Sequence, residues 1–209
     1  MSAVATVILA NGDFPAPGTA ARRLLEEAQR IVACDGAADA LFALSSRIPD
    51  AIVGDLDSIS AATRDAALAH GVEIVRVAEQ ETNDLAKAAR LCRERSWWPP
   101  LILGAAGKRE DHTIANLFLA LDLGLEAVTD RARFAPVPGD GDWHSFAVAP
   151  GAAVSIFAPC PNTRVRSKGL EWPLDGVALG NLHCAALNRA TSSTVSLASN
   201  RPVLACLNF

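Results

Sequence analysis

The stretch "AIVGDLDSIS" (residues 51–60) places two aspartates, Asp55 and Asp57, directly after a short apolar run that ends in Gly54. An apolar run of this length bounded by glycine is typical of a buried strand. The two carboxylates then follow the carboxyl end of that strand, where open α/β sheets bind their ligands. Taken alone, the stretch is also consistent with a turn in which Asp57 or Ser58 caps the next helix.

The composition limits the classes of protein to which the chain can belong. Of the 209 residues, 50% are hydrophobic and 20% are charged, which suffices for a sizeable core. The net charge of −4 argues against a nucleic-acid surface. No apolar run approaches the roughly 20 residues of a membrane span, and the first residues lack the basic region of a signal peptide. We therefore expect a soluble, cytoplasmic protein with no nucleic-acid or membrane partner.

The cysteines are scattered along the chain and form no CxxC pair. Their odd number and their spacing give no indication of a disulfide framework or of a zinc site. This usage predicts buried, reduced thiols in a cytosolic protein. The residues concerned are Cys34, Cys92, Cys160, Cys184 and Cys206.

Strand and helix signals alternate over the first 130 residues. Short β-rich runs occupy residues 5–10, 30–34, 50–54, 72–78, 100–104 and 126–128. Helical patterns lie between them, and the clearest occupy residues 18–30, 83–95 and 112–121. Thr19 is a possible cap of the first. This alternation predicts an α/β fold with a Rossmann-like, mainly parallel sheet and helices on both faces.

The pattern changes after about residue 130, where proline, glycine and other turn residues separate runs of strand length. Helical periodicity is weak there and is confined to residues 181–190. We expect a small antiparallel β-sandwich, and therefore two domains, 1–135 and 136–209. Within the second domain, Trp172 is expected in the core, and Ser199 with Asn200 in a turn.

Polar residues follow each of the first five predicted strands. Because the carboxyl ends of parallel strands share one edge of a sheet, these residues are expected to lie together. They are Asn11 and Gly12, Asp35 and Gly36, Asp55 with Asp57 and Ser58, then Glu81 to Asp84, and finally the stretch "GAAGKREDH" (104–112).

The acidic residues at this edge favour a magnesium site. Mg²⁺ takes one or two carboxylates, keeps several waters and binds substrate phosphates. Asp55 and Asp57 on a tight turn meet that need, and Gly54 permits close approach of the backbone. Thr82 or Asn83 can cap the following helix with Asp84 in its first turn, a position that also serves metal binding. The sequence is compatible with helix capping, with metal binding and with both at this helix start.

The stretch "LGAAGKREDHTIAN" (103–116) favours a phosphate site. Gly104 and Gly107 precede the cations Lys108 and Arg109, and a helix is expected to begin at Asp111, His112 or Thr113. A glycine turn before a helix N-terminus binds anions, and arginine holds phosphate through two hydrogen bonds. The spacing differs from both the Walker A and the G-x-G-x-x-G motifs.

Four of these stretches together resemble the thiamine pyrophosphokinase (thiamin diphosphokinase) family in order and spacing. They are "ACDGAADAL" (33–41), "IVGDLDSIS" (52–60), "QETNDLAKAAR" (80–90) and "ILGAAGKREDHTIANLFLAL" (102–121), and "SKGLEWPL" and "SLASN" resemble elements of the family's β domain. The chain departs from the commoner family pattern by having Glu81 and Asn83 in place of Asp and Thr, and Trp172 in place of tyrosine.

The resemblance implies transfer of pyrophosphate from ATP to the hydroxyl of thiamine, which yields thiamine diphosphate and AMP. It implies Mg²⁺ as the cofactor, a catalytic domain followed by a thiamine-binding and dimerisation domain, and a homodimer. The implied metal ligands are Asp55, Asp57 and Asp84, and the implied catalytic residues are Asp57, Asp84, Lys108 and Arg109. The implied ATP-binding residues are Asn11, Gly12, Gly104, Gly107, Lys108, Arg109, Asp111 and His112. The implied thiamine-binding residues are Asp35, Asp111, Ser199 and Asn200.

Two other kinds of protein remain possible from the residues alone. One is a magnesium-dependent phosphohydrolase or nucleotidyl transferase, in which the acids of "GDLDS" also hold the metal. The other is a non-catalytic module that binds a nucleotide or thiamine. Either Asp57 or Asp84 can accept the proton of the attacking hydroxyl, and the sequence does not choose between them.

Overall fold

The computed structural model describes residues 5–209. The chain divides into two compact units. The first holds the described residues up to Leu119 together with Ala127–Asp130, and the second holds Ala120–Glu126 and Arg131–Phe209. The assignment of separate roles to residues 1–135 and 136–209 stays a prediction.

Strands and helices alternate in the first part of the chain. The elements are β1 (Thr6–Leu9), α1 (Ala20–Glu27), β2 (Arg30–Cys34), α2 (Ala37–Leu44), β3 (Ala51–Gly54), α3 (Ala61–Ala69), β4 (Glu73–Arg76), α4 (Asp84–Glu94), β5 (Leu101–Leu103), α5 (Glu110–Leu123) and β6 (Ala127–Val128). All six strands fall within the predicted β-rich runs. They pair in parallel in the order β6-β5-β1-β2-β3-β4. The α/β prediction is therefore confirmed.

The parallel sheet is covered on both of its faces. Every residue of β1 and of β3 is buried, and successive side chains of a strand point to opposite faces. Val7 and Leu9 of β1 pack in one cluster with Leu25 of α1 and Leu41 of α2. Helix α4 contacts β1, β2 and β3 and buries its apolar side. This packing leaves the carboxyl edge of the strands to the loops that carry the polar residues.

Side-chain caps fix where the helices begin. Thr19 caps α1 as predicted, and its hydroxyl accepts a hydrogen bond from Arg22 N at 3.1 Å. Asn83, rather than Thr82, caps α4. Helix α3 is capped by Ser60, so the expectation that Asp57 or Ser58 caps this helix was wrong.

The start of α5 differs from the sequence-based expectation. Helix α5 begins at Glu110 and not at Asp111, His112 or Thr113, because the carbonyl of Arg109 already accepts a hydrogen bond from the Thr113 amide at 3.0 Å. Helices α2 and α3 are short and rich in alanine, and their sequences give little amphipathic pattern. Among the described residues, no helix combines the length and the apolar character needed to cross a membrane.

The second unit is built from antiparallel strands that form two sheets. They are β7 (Ala132–Val137), β8 (His144–Ala147), β9 (Ala153–Phe157), β10 (Thr163–Lys168), β11 (Val177–Leu179), β12 (Ala185–Arg189), β13 (Thr194–Ser199) and β14 (Val203–Asn208). Within this unit, one sheet contributes the strands β12-β9-β14-β7 in that order, and the other sheet has the order β11-β10-β13-β8. Side chains of both sheets share one core, including Val154, Ile156, Val165 and Leu197. The predicted sandwich is therefore confirmed.

Three expectations for single residues need correction. Residues 185–189 within the weakly helical stretch form strand β12. Trp172 is 54% exposed and does not lie in the core. The cysteines are all free as predicted, but Cys184 is exposed while Cys34 and Cys92 are buried. Burial raises the pKa of the Cys92 thiol to about 12, which keeps it protonated.

Candidate active site

A cleft with a volume of about 400 Å³ lies at the carboxyl edge of the parallel strands. Residues from the loops after β1, β3 and β5 line it, together with the start of α4. The lining includes the predicted residues Asn11, Gly12, Asp55, Asp84, Gly107, Lys108, Arg109 and His112. Within the described chain, the predicted residues Asp35, Asp57, Gly104 and Asp111 do not contribute to its wall.

Three carboxylates form a cluster beside this cleft. Oxygen atoms of Asp35, Asp55 and Asp57 lie within 4.8 Å of one another. The cluster depends on the loop after β3, in which Leu56 has a left-handed φ of 67° and turns the chain between the two aspartates. Such a group of hard oxygen atoms suits a divalent cation of the Mg²⁺ type.

Asp35 holds the loop of the other two aspartates in place. It is 2% exposed, and its carboxylate accepts hydrogen bonds from the Ser58 amide at 3.1 Å and the Ile59 amide at 3.0 Å. Burial raises the pKa of Asp35, while the two amide hydrogen bonds act in the opposite direction. This geometry gives Asp35 a definite role in orienting the loop, and its predicted contact with thiamine stays a prediction.

Asp55 and Asp57 are held by local hydrogen bonds. Gln80 Nε2 donates to Asp55 Oδ2 at 2.8 Å, and this bond is the main cause of the lowered pKa of Asp55. The Ser58 hydroxyl donates to Asp57 Oδ1 at 2.8 Å. Asp57 itself is exposed, so its second carboxylate oxygen is accessible to a ligand.

Asp84 lies close to this cluster at the first position of α4. A methyl group built on Gly54 would lie 2.8 Å from Asp35 Cβ and 3.2 Å from Asp84 Oδ1. The absence of a side chain at Gly54 therefore creates the space in which the two acids approach each other. The ammonium of Lys87 donates to Asp84 Oδ1 at 3.1 Å, and Lys87 is 3% exposed. A buried cation thus offsets part of the negative charge of the acids.

The loop after β5, residues 104–107, forms the part of the cleft opposite the acids, and we call it the glycine loop. A methyl group on Gly12 would lie 2.2 Å from the carbonyl oxygen of Ala106, and one on Gly107 would lie 2.0 Å from Asp13 Cγ. Gly107 also has a left-handed φ of 88°. Because only glycine fits these positions, the loops after β1 and β5 come into direct contact, backbone to backbone at Gly12 and through the Asp13 carboxylate at Gly107.

The predicted cations flank this loop. Lys108 has a left-handed φ of 58°, and its ammonium donates to Asn11 Oδ1 at 2.8 Å. Arg109 makes two hydrogen bonds to the Asp111 carboxylate, at 3.1 and 2.6 Å. This pairing lowers the pKa of Asp111 to about 2. Both charged groups are exposed, so a phosphate can reach the guanidinium.

The predicted residues of the second unit serve its own backbone. Ser199 is 1% exposed, and its hydroxyl donates to the carbonyl of Arg201 at 2.6 Å. Asn200 Oδ1 accepts a hydrogen bond from the Arg164 amide at 2.7 Å. These bonds shape the end of β13, and a role in binding thiamine stays a prediction for both residues.

The cleft is also lined by residues that were not predicted from the sequence, among them Lys87, Gln80, Cys34 and Asn116. Lys87 could have been found from its position, because residues three apart on a helix share a face with each other, and Asp84 precedes it by three. Asn116 lies inside the recognised stretch after β5, but only the packing of α5 shows that it is buried.

Comparison with protein families identifies the chain. The family model described as "Thiamin pyrophosphokinase, catalytic domain" matches residues 21–129, which is more than half of the chain and contains the acid cluster and the glycine loop. The chain belongs to the thiamin pyrophosphokinase family. None of the curated proteins compared with the chain matches it.

Solved structures of thiamin pyrophosphokinases share the fold of this family member. The enzyme from Candida albicans superposes with a TM-score of 0.81 at 17% identity, over 99% of this chain and 89% of that one. The yeast enzyme superposes with a TM-score of 0.81 at 17% identity, over 100% of this chain and 87% of that one. The Bacillus subtilis protein gives 0.75 at 18% identity, over 97% and 98%. At these identities the likeness establishes the fold alone.

Proposed function

We propose that the chain transfers pyrophosphate from ATP to the hydroxyl group of thiamine, giving thiamine diphosphate and AMP. One observation carries this proposal. In a member of the thiamin pyrophosphokinase family, Asp55 of the carboxylate cluster and Asp84 line the same cleft of about 400 Å³ as the cations that follow the glycine loop, Lys108 and Arg109. That combination suits a magnesium–polyphosphate substrate, which needs acids for the metal and cations for the phosphates.

The acid cluster supports Mg²⁺ as the cofactor. Asp55, Asp57 and Asp84 would hold the ion, while Asp35 keeps the loop of the first two in position through its bonds to backbone amides. When bound, the ion neutralises charge on the phosphates and aligns them for in-line displacement. Lys87 reduces the repulsion between Asp84 and the neighbouring acids.

The glycine loop supports binding of the phosphates from the other side. Gly104 and Gly107 have left-handed φ values that glycine adopts readily, which fixes the turn before Lys108, and the N-terminus of α5 adds a dipole that favours an anion. Lys108 and Arg109 supply the positive charge that stabilises the developing charge of the leaving AMP and of the transferred group. Asn11 holds the Lys108 ammonium beside the cleft.

The remaining step is attack of the thiamine hydroxyl on the β-phosphorus. Its oxygen forms the new P–O bond, the bond to the α-phosphate oxygen breaks, and the hydroxyl proton passes to a carboxylate. Asp57 and Asp84 are both candidates for this base. The acidic edge also favours the cationic thiazolium ring of thiamine.

The family resemblance supports three further expectations. We expect a cytoplasmic homodimer that binds thiamine between subunits, with Ser199 and Asn200 near it. Asp35 and Asp111 are the other expected contacts, and Asp111 is held by Arg109. Light scattering coupled to size-exclusion chromatography measures the oligomeric state. A mass near 44 kDa, twice the 21.9 kDa of the chain, supports a dimer, and the mass of a monomer contradicts it.

The activity is tested by incubating the protein with ATP, Mg²⁺ and thiamine and separating the products by chromatography. The proposal requires AMP and thiamine diphosphate in equal amounts. ADP or inorganic phosphate as the main product supports a phosphohydrolase instead. Binding of the ligands without conversion supports a non-catalytic module.

A further inference from the structure

Asn116 connects two loops of the site through its side-chain amide. It lies on α5 and is 8% exposed. Its Oδ1 atom accepts a hydrogen bond from Asn83 Nδ2 at 3.1 Å, and its Nδ2 atom donates to the carbonyl of Ala105 at 3.1 Å. Asn83 Oδ1 in turn accepts from the Ala86 amide at 3.0 Å. We call this chain of three hydrogen bonds the amide bridge.

Backbone groups at both ends fix the direction of the amide bridge. The Ala86 amide can only donate, so it selects Oδ1 of Asn83 and turns Nδ2 toward Asn116. The Ala105 carbonyl can only accept, so it selects Nδ2 of Asn116 and turns Oδ1 toward Asn83. Both asparagines are therefore in the one orientation that satisfies the whole chain.

The first end of the amide bridge is the start of α4. Asn83 caps this helix, and its own carbonyl accepts a hydrogen bond from the Lys87 amide at 3.1 Å. The next residue is Asp84, whose carboxylate lies against Gly54 and is bound by the Lys87 ammonium. A shift of Asn83 thus moves Asp84 with it.

The second end is the glycine loop after β5. Ala105 lies between two residues whose carbonyls are also bound: Gly104 O accepts from the Gly12 amide at 2.9 Å, and Ala106 O accepts from the Asp13 amide at 2.7 Å. The three successive carbonyls are therefore all engaged, and Asn116 supplies the partner of the middle one. The bonds to Gly104 O and Ala106 O hold the loop that precedes Lys108 against the loop after β1, and the bond from Asn116 ties it to α5.

We infer that Asn116 is a positioning residue that, through the amide bridge, sets the spacing between Asp84 on the metal side and the glycine loop on the phosphate side. This inference rests on the proposed function, because it needs a ligand that contacts both sides at once. A metal–nucleotide complex is such a ligand, since the metal contacts the carboxylates while the phosphates contact the loop. The bridge should then matter for nucleotide with metal and not for nucleotide alone.

The test compares single and double variants. The variants Asn83→Ala, Asn116→Ala and the double variant each remove the bridge. Calorimetry measures the dissociation constant of α,β-methylene ATP, which cannot transfer its pyrophosphate, once with Mg²⁺ and once with EDTA. We expect the gain in affinity from Mg²⁺ to fall about tenfold in all three variants, while the affinity without Mg²⁺ stays within about twofold of the wild type.

Two further variants separate positioning from general damage. In Asn83→Thr the hydroxyl can accept a hydrogen bond from the Ala86 amide and donate one to Asn116. The gain in nucleotide affinity from Mg²⁺ should therefore return to within about threefold of the wild type. Asn208→Ala is the matched control, because Asn208 Nδ2 donates to the carbonyl of Ala153 at the same 3.1 Å in the antiparallel unit. Asn208→Ala should leave the gain in nucleotide affinity from Mg²⁺ unchanged.

Several results would overturn the inference. One is a gain from Mg²⁺ in Asn116→Ala within about twofold of the wild type. Another is a double variant whose loss is the product of the single losses, because independent sites add in free energy. If Asn116→Ala does not fold, the comparison of Asn83→Ala with Asn83→Thr decides, and equal losses in both contradict the bridge. Wild-type protein that binds the nucleotide with Mg²⁺ but forms no thiamine diphosphate refutes the proposed function alone, whereas wild-type protein that binds no nucleotide refutes both.

Discussion

Replacing Gly54 by alanine tests whether the acids of the site are packed around this position. The new Cβ would lie 2.8 Å from Asp35 Cβ, closer than such atoms approach in real proteins, and 3.2 Å from Asp84 Oδ1. Asp35 cannot swing away, because its carboxylate is bound to the Ser58 and Ile59 amides. The backbone or the α4 terminus must therefore move.

The sign of the stability change follows from two opposing effects. Gly→Ala favours folding by roughly 0.4–1 kcal/mol because it restricts the unfolded chain. Overpacking a tight site costs roughly 1–3 kcal/mol. We expect Gly54→Ala to lose about 1–2 kcal/mol net, and thus roughly 2–8 °C in melting temperature for a chain of this size. Displacement of the acids should also lower turnover roughly 100-fold.

The matched control is Gly180→Ala, because a Cβ at Gly180 meets no atom within 4 Å and no positive φ strains it. This variant should melt at or slightly above the wild-type temperature and retain full turnover. The assays are thermal denaturation and formation of thiamine diphosphate. The packing argument is refuted if Gly54→Ala is as stable and as active as Gly180→Ala.

Lys87→Met should lower the melting temperature, because the Asp84 carboxylate is left beside the other acids without its buried partner, and should lower turnover about 10–100-fold for the same reason; an unchanged melting temperature with full turnover would contradict this. Asp57→Asn should keep the fold, seen by circular dichroism, and lower turnover roughly 100-fold or more; near-normal turnover at ordinary Mg²⁺ would refute the metal assignment. Hydrogen bonds from Thr82 and Arg90 lower the pKa of Glu79 from 4.5 to about 2, so its contribution to stability is complete above pH 4.5 and disappears as the pH falls toward 2. The difference in melting temperature between wild type and Glu79→Gln should therefore be constant near neutral pH and vanish toward pH 2. A difference that persists at pH 2 would contradict stabilisation by the ionised Glu79 carboxylate.

The positions of the strands could be predicted from the sequence because each strand is marked locally. A short run such as residues 51–54 is apolar throughout and is bounded by polar residues, and every residue in it is buried. Thr19 was likewise predictable as a cap and Asn83 as one of two candidates, since the preference for these residues at a helix start depends only on nearby amides. The grouping of polar residues at one edge followed from the parallel order of the strands.

The contacts inside the site could not be predicted in the same way, because they depend on residues far apart in the chain. The role of Asp35 is to bind amides 23 and 24 residues later. Asn116 gains its importance only when α5 brings it between Asn83 and Ala105. For Trp172, its large apolar side chain favoured the core, whereas the chain places it at an exposed position.

The most direct test of the central proposal uses ATP labelled with ³²P in the β-phosphate. Incubation with Mg²⁺, thiamine and the wild-type protein should move the label into thiamine diphosphate and leave unlabelled AMP, because both the β- and the γ-phosphate are transferred together. Label that remains in ADP, or that is released as inorganic phosphate or pyrophosphate without labelled thiamine diphosphate, would contradict pyrophosphate transfer by this site.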